Sequence, residues 1–274
     1  MATRRFSLAV VFALSLVLTL AGCTGSINQE EQLKAITLQI QNAVQLELDS
    51  LDGDLSAAAS QLSSTGLSGP EARQILNGLC SKYPFMIDCL TADAAGKMVT
   101  VAPDEYSTYE SSDISTQDVT VKFNETKKPL LSQMFPAVEG MDAVVLIWPI
   151  LSEKGEFMGT LSALFKPETL FAETVEPMIK GTGIALNVIQ LDGLSIYDSE
   201  YVDTGKNILK DPAFQPYTDL VELGTKMVAQ ESGSGGYTFI NHATGKTAKK
   251  QAFWVSVGLH YTVWRVASVQ QVAE

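Results

Sequence analysis

The sequence predicts an α+β protein: a long N-terminal helix followed by two modules, each built on an antiparallel sheet. Three observations predict it. From Gln29 to Ser64, the residues Leu33, Ile36, Ile40, Val44, Leu48, Leu51, Leu55, Ala58 and Leu62 recur at three- and four-residue steps with no proline among them. That spacing marks one face of a helix. Asp142 to Phe165 (DAVVLIWPILSEKGEFMGTLSALF) reads as two strands around a polar turn containing Gly155, a hairpin signal. After the long helix, the order helix, strand, strand, helix, strand, strand, strand occurs twice.

At the start of the chain, Arg4 and Arg5 precede an almost unbroken apolar run from Phe6 to Leu20, and small residues follow. This is the pattern of a secretory leader, too short for a membrane span. The ending Leu20-Ala21-Gly22-Cys23 resembles the lipobox of prokaryotic lipoproteins, an ordinary leader that contains a cysteine being the alternative. The resemblance implies a signal peptide over 1–22, lipidation of Cys23, and a tether over 23–28. The mature protein would be lipid-anchored in the cell membrane and face the extracellular or periplasmic side.

Composition narrows the function classes. The 274 residues carry a formal charge of −12, and removing a leader with two Arg and no acids leaves −14. Such acidity argues against nucleic acid or an anionic lipid surface as partner. Two histidines are present, His242 and His260, and neither has metal-ligand spacing with Cys or with the other. No nucleophile elbow, zinc motif or dinucleotide fingerprint is visible. The strand carboxylates Asp88 and Asp142 could be catalytic, but the commoner reading is an exposed acid at a strand end. The expectation is a binding protein with no catalytic residues, metal or cofactor.

The helix over 29–65 would be on the order of 50 Å long at the usual rise. It is too long for one small domain and reads as a spine running past two modules. A coiled-coil seam, and with it a homodimer, is the rival reading. Two glycines break the helix, and Ser68, Pro70 and Glu71 predict a capped second helix through about Leu79. The first module spans 66–166. It opens with a strand, a turn at Ala95-Gly96 and a strand, the first strand flanked by Cys80 and Cys89. In an exported chain this pair is expected to be bridged, worth about 2–3 kcal/mol for so small a loop; two buried thiols are the alternative. Asp104 to Thr126 reads as a long polar loop carrying Tyr106, Tyr109 and the sequon Asn124-Glu125-Thr126. Lys127 to Gln133 then forms a short helix or turn.

In the hairpin, Val144, Leu146, Trp148 and Ile150 share one face, and Ala143, Val145 and Ile147 the other. On the returning strand Met158, Thr160, Ser162 and Leu164 share the more polar face. A connector helix over 167–182 leads to the second module, 183–270. There Asp192-Gly193 marks a hairpin turn, a helix covers Phe214 to Gln230, and three strands follow. The Gly-rich Ser232–Gly236 reads as a turn before a strand, not before a helix, so it lacks phosphate-loop geometry.

This order resembles the double Cache family of extracytoplasmic sensors, whose modules are PAS-like. The first module offers Trp148-Pro149-Ile150, Gly155 and Gly159, with Lys166-Pro167 opening the connector. The second offers Leu191-Asp192-Gly193, Asp203 through Ile208, Tyr237-Thr238-Phe239 and Trp264-Arg265-Val266. The resemblance covers about Gln29 to Ser268. It implies that the first module is membrane-distal, the second membrane-proximal, and that a small ligand binds in the distal module between sheet and long loop. The family's amino-acid signature is missing. No Arg occurs between Arg73 and Arg265, Phe135-Pro136-Ala137 replace its Tyr-x-Asp, and Leu164 replaces the strand-end Asp. An α-amino acid held by that Arg and Asp set is therefore not expected.

The expected pocket lies under Asp104–Gln133, against the polar face of the hairpin. Thr160 and Ser162 supply hydroxyls, and Tyr106, Tyr109, Phe135 and Trp148 supply walls. Trp148 reads equally well as core. Ser132 and Lys128 stand where the loop rejoins the sheet. The implied function is an extracytoplasmic lipoprotein that binds a small molecule and transduces a signal through a separate membrane protein. Solute capture for a transporter and a purely structural, dimerising role are the alternatives.

Overall fold

The computed structural model describes residues 29–272; the leader, the tether and Cys23 lie outside the described residues. Helix α1 (Gln29–Thr65) has the predicted stripe: Leu33, Ile40, Val44, Leu48, Leu51, Leu55, Ala58 and Leu62 are buried. No helix among the described residues is long and apolar enough to cross a membrane. Helix α2 (Pro70–Cys80) starts differently from expectation, with Gly69 at the N-cap and no side-chain cap. A proline at the first helical position has its φ preset and no N–H to satisfy, so the start does not depend on Ser68.

In the distal module, β1 (Met86–Asp93) and β2 (Met98–Ala102) form the first hairpin. The expected long loop is structured. A 3₁₀ turn (Asp104–Tyr109) is followed by α3 (Asp118–Thr126), which buries Val119, Thr120 and Phe123. Two-residue strands β3 (Leu130–Leu131), where a short helix or turn was expected, and β4 (Phe135–Pro136) lead into β5 (Asp142–Leu151) and β6 (Phe157–Phe165). The sheet is antiparallel, ordered β2-β1-β6-β5-β3, with β4 also on β5.

Helix α4 (Pro167–Ile179) connects to the proximal module. Strands β7 (Ile184–Gln190) and β8 (Ser195–Asp198), helix α5 (Thr218–Ala229), and strands β9 (Gly233–Asn241), β10 (Lys246–Leu259) and β11 (Thr262–Gln271) follow. Their order, β8-β7-β11-β10-β9, repeats that of the distal sheet. The Gly-rich segment is part of β9 and not a turn before it. A Cβ on Gly233 would stand 2.4 Å from the Trp254 indole, and one on Gly235 would stand 2.6 Å from Leu223. The large side chains opposite need that space.

Each sheet has two covered faces. One face of both sheets packs on α1 in a single core that runs from Leu33 through Val144, Leu161 and Phe165 to Val255 and Trp264. The opposite faces carry separate clusters. In the distal module these hold Val145, Ile147, Leu164 and Phe123 under α3, and Leu90, Met98 and Ile114 near the 3₁₀ turn. In the proximal module Trp254, Leu223 and Met227 form one, and Phe214, Leu220 and Phe239 another. The stripe of α1 that could have formed a coiled-coil seam is thus buried against the two sheets. At the junction, Asp52 of α1 meets Trp148 of the distal sheet and His260 from the β10–β11 turn, and Met134 N–H donates to Gln190 Oε1 at 2.6 Å.

Candidate functional site

The distal face away from α1 is laid down by strand alternation and register. Leu164 of β6 pairs with Asp88, Ser162 with Leu90 and with Ile147, and Thr160 with Ala92. Directly opposed residues share a face, so Asp88, Leu90, Ile147, Thr160, Ser162 and Leu164 all look toward α3. Two small cavities lie there. One, of about 30 Å³, is lined by Gln117, Thr120, Phe135, Glu139 and Ser162 among others. The second, of about 20 Å³, has Asp93, Thr120, Phe123, Asn124, Thr160 and Ser162 around it. Each holds about two waters at most.

Of the residues expected here, Thr160, Ser162 and Phe135 line these cavities. Tyr106 and Tyr109 lie in the 3₁₀ turn, stacked at 6.3 Å, and pack on the neighbouring Leu90–Met98 cluster, Tyr106 also reaching the cluster beneath α3. Three others are placed elsewhere. Trp148 lies on the opposite face with Leu161, its Nε1 donating to Asp52 Oδ1 at 2.7 Å. Its alternation partners Val144 and Leu146 are on that face too, so the same strand cannot bring Trp148 and Ser162 together. Ser132 spends its hydroxyl on the backbone N–H of Val145 at 2.9 Å. Lys128 is exposed, and its own backbone N–H donates to Thr126 Oγ1.

The residue whose burial sequence reading missed is Asp88. It is fully buried and faces another acid, Glu139, and among the described residues neither a cation nor a backbone donor reaches its oxygens. Burial, followed by the charge of Glu139, pushes its carboxyl up to about 8. A carboxylate set within the apolar run Met86-Ile87-Asp88-Cys89-Leu90 was the available signal, since such groups are rarely buried without a partner. The polar atoms that converge here are hydroxyls and carboxyls. No Lys or Arg lines either cavity, and Arg73 is committed outside the site to Glu110, Asp104 and the Val101 carbonyl.

Cys80 and Cys89 are free thiols in the structure, not the bridged pair expected from an exported chain. Cys80 Sγ donates to the Ala102 carbonyl at 3.6 Å, and burial pushes the Cys89 thiol well up. Both belong to the helix-side core, away from the cavities. No group of three His, Cys, Asp or Glu among the described residues is placed to hold a metal.

Residues 46–167 match the family described as HK/GC/chemotaxis protein-like, sensor domain. An extracellular ligand-binding receptor from Desulfohalobium retbaense DSM5692 superposes with a TM-score of 0.74 at 33% identity, over 88% of this chain and 40% of that one. The chain has the double Cache sensor fold. This double Cache chain spans 40% of the length of that relative. The periplasmic sensory domain of the Campylobacter jejuni chemoreceptor Tlp1 aligns over 88% of this chain and 94% of its own, with a TM-score of 0.61 at 13% identity. The ligand-binding domain of the Pseudomonas aeruginosa PAO1 amino acid chemoreceptor PctB, in complex with L-Gln, aligns over 88% and 90%, with a TM-score of 0.61 at 12% identity. No curated protein matches in sequence.

Proposed function

We propose that the protein is a lipid-anchored extracytoplasmic receptor that binds a small amine in its distal module and passes the signal to a separate membrane protein. The observation that carries the ligand class is Asp88, a buried carboxyl on the face of the sheet that bears the cavities, with another acid, Glu139, and no cation beside it. Farther along that face Ser162, Thr160 and Thr120 bring hydroxyls to the two cavities, which Asp88 itself does not line, and none of the three makes a side-chain hydrogen bond there among the described residues. A protonated amine would let Asp88 ionise in place by supplying a counter-charge, and gives the hydroxyls a donor to accept from. An α-carboxylate would meet Glu139 and no cation. That separates this reading from the amino-acid ligand named for the PctB domain.

The cavities are too small for a ligand as they stand, so entry requires α3 and the 3₁₀ turn to move outward. That displacement, coupled to α1 through the sheet, is the signal. The lipobox-like Cys23 supports the anchor, and an anchored protein outside the membrane acts through a partner that crosses it. A thermal-shift panel of small primary and methylated amines on the purified chain tests the ligand class. A saturable rise in melting temperature is expected, lost in Asp88→Asn and in the pair Thr160→Val with Ser162→Ala, both folded. An amine response that survives in both variants would reject the site. A response to carboxylates alone, unchanged in Asp88→Asn, would reject the class. Capture of a transporter permease from cross-linked cells, with no signalling protein, would replace signalling by solute uptake.

A further inference from the structure

The proximal module encloses a cavity of about 70 Å³ between its sheet and α5, larger than either distal one and on the far side of the connector helix. Its chemistry comes from two facing strands. Lys250 of β10 is paired with Tyr237 of β9, so ammonium and phenol stand side by side on the cavity face, and Ala252 and Trp254 continue the row along β10. Lys250 is buried, yet its counter-charge is the half-exposed Glu200 at 3.9 Å, beyond hydrogen-bond reach, with the Phe239 ring 5.7 Å away. The Tyr237 hydroxyl has no hydrogen-bond partner among the described residues. Burial, and after it the surrounding acids, keep that hydroxyl protonated and therefore a donor.

Of the three acids lining the cavity, Glu200 is the distant partner of Lys250, and the other two are engaged elsewhere. Asp198 accepts the backbone N–H groups of Glu200, Val202 and Asp203 at 2.9–3.0 Å. Asp203 is held by Lys206 at 2.9 Å and lies 3.4 Å from His242 Nε2. What the cavity leaves open is a pair of donors, Lys250 Nζ and Tyr237 Oη, above an apolar floor of Leu223, Met227 and Ala267. A buried ammonium with so distant a partner calls for an anion.

We propose that the proximal module is a second ligand site, taking a short-chain monocarboxylate whose carboxylate bridges Lys250 and Tyr237 and whose alkyl end lies on the apolar floor. The volume sets the size: about five or six water-sized atoms fit, the length of propionate or butyrate. The site is independent of Asp88 and of the amine reading.

The test is calorimetric titration of the full chain with propionate and butyrate, using propylamine as the cationic counterpart. Saturable binding of the carboxylates is expected. Lys250→Met, which keeps the buried stem, should weaken it about 10- to 100-fold, as loss of a charge-assisted contact does. Tyr237→Phe should weaken it less, and Asp88→Asn should leave it unchanged. Lys250→Arg is the folding control and should restore part of the affinity. Absence of carboxylate binding to the folded wild-type chain would overturn the proposal. So would equal binding in Lys250→Met, or loss of binding in Asp88→Asn with retention in Lys250→Met.

Discussion

Trp148 Nε1 and Asp52 Oδ1 are joined by a 2.7 Å hydrogen bond that fastens the distal sheet to the spine helix. The same oxygen lies 2.6 Å from His260 Nε2, and the His260 ring meets the Trp148 indole edge-on at 6.1 Å. One carboxylate therefore gathers a residue from each module onto α1. A hydrogen bond to a charged acceptor contributes about 1.5–3 kcal/mol. Asp52→Ala should cost about 2–3 kcal/mol in chemical denaturation. Trp148→Phe, which keeps the ring and removes the donor, should cost less. The double mutant should cost clearly less than the two together, by about 0.5–3 kcal/mol of coupling. Strict additivity would show that the contact does not hold the junction.

Asp88 gives the protein a pH dependence of known sign. In the folded chain its carboxyl keeps a proton up to about 8, whereas an unfolded Asp ionises near pH 4 (about 3.9). The folded state binds more protons between those values, so this contribution is complete below about pH 4 and is lost as pH rises toward 8. The loss is at most about 1.4 kcal/mol for each pH unit in that window. Melting temperatures of the ligand-free protein should fall from pH 5 to pH 8, and Asp88→Asn should flatten the slope and raise stability at pH 8. An unchanged slope in that variant would place the titration elsewhere.

The two thiols should be chemically silent in the native state. Cys89 is fully buried with its thiol pushed up, and Cys80 is buried beside the Ala102 carbonyl. Thiols buried away from reagent are inert. Alkylation mapped by mass spectrometry should modify both only after unfolding, without any reductant. A disulfide-linked peptide joining them in unreduced protein would show instead the bridge expected of an exported chain.

Gly233 lies directly against Trp254, which is fully buried and donates its Nε1–H to the Gln230 carbonyl at 3.1 Å. Gly233→Ala must push the indole aside and should destabilise the protein by about 1–3 kcal/mol. Gly236→Ala, whose Cβ meets the flexible end of Gln251 at 3.3 Å and the Lys250 carbonyl at an ordinary contact distance of 3.7 Å, should cost much less. Equal costs would mean that backbone freedom, not the indole, explains both glycines.

Local periodicity made the spine helix, both hairpins and the repeated strand order readable, because each depends on residues close in sequence. Thr160 and Ser162 were placed on their shared face by alternation alone. Trp148 was not, since β5 is apolar on both faces and nothing local says which face meets α1. Helix α3 was hidden by its shortness: it has nine residues, of which Val119, Thr120 and Phe123 are the buried ones, and two of the three are β-branched. Asp88 looked like an exposed strand-end acid because burial is a tertiary property, set by α3 and the 3₁₀ turn closing over β1.

No residue of α1 lines either distal cavity or the proximal one; the helix and the chambers occupy opposite sides of each sheet. Each sheet is therefore a diaphragm. Whatever enters a chamber can reach the spine only by flexing the strands between them, so the two modules would address the same rod through two separate drumskins.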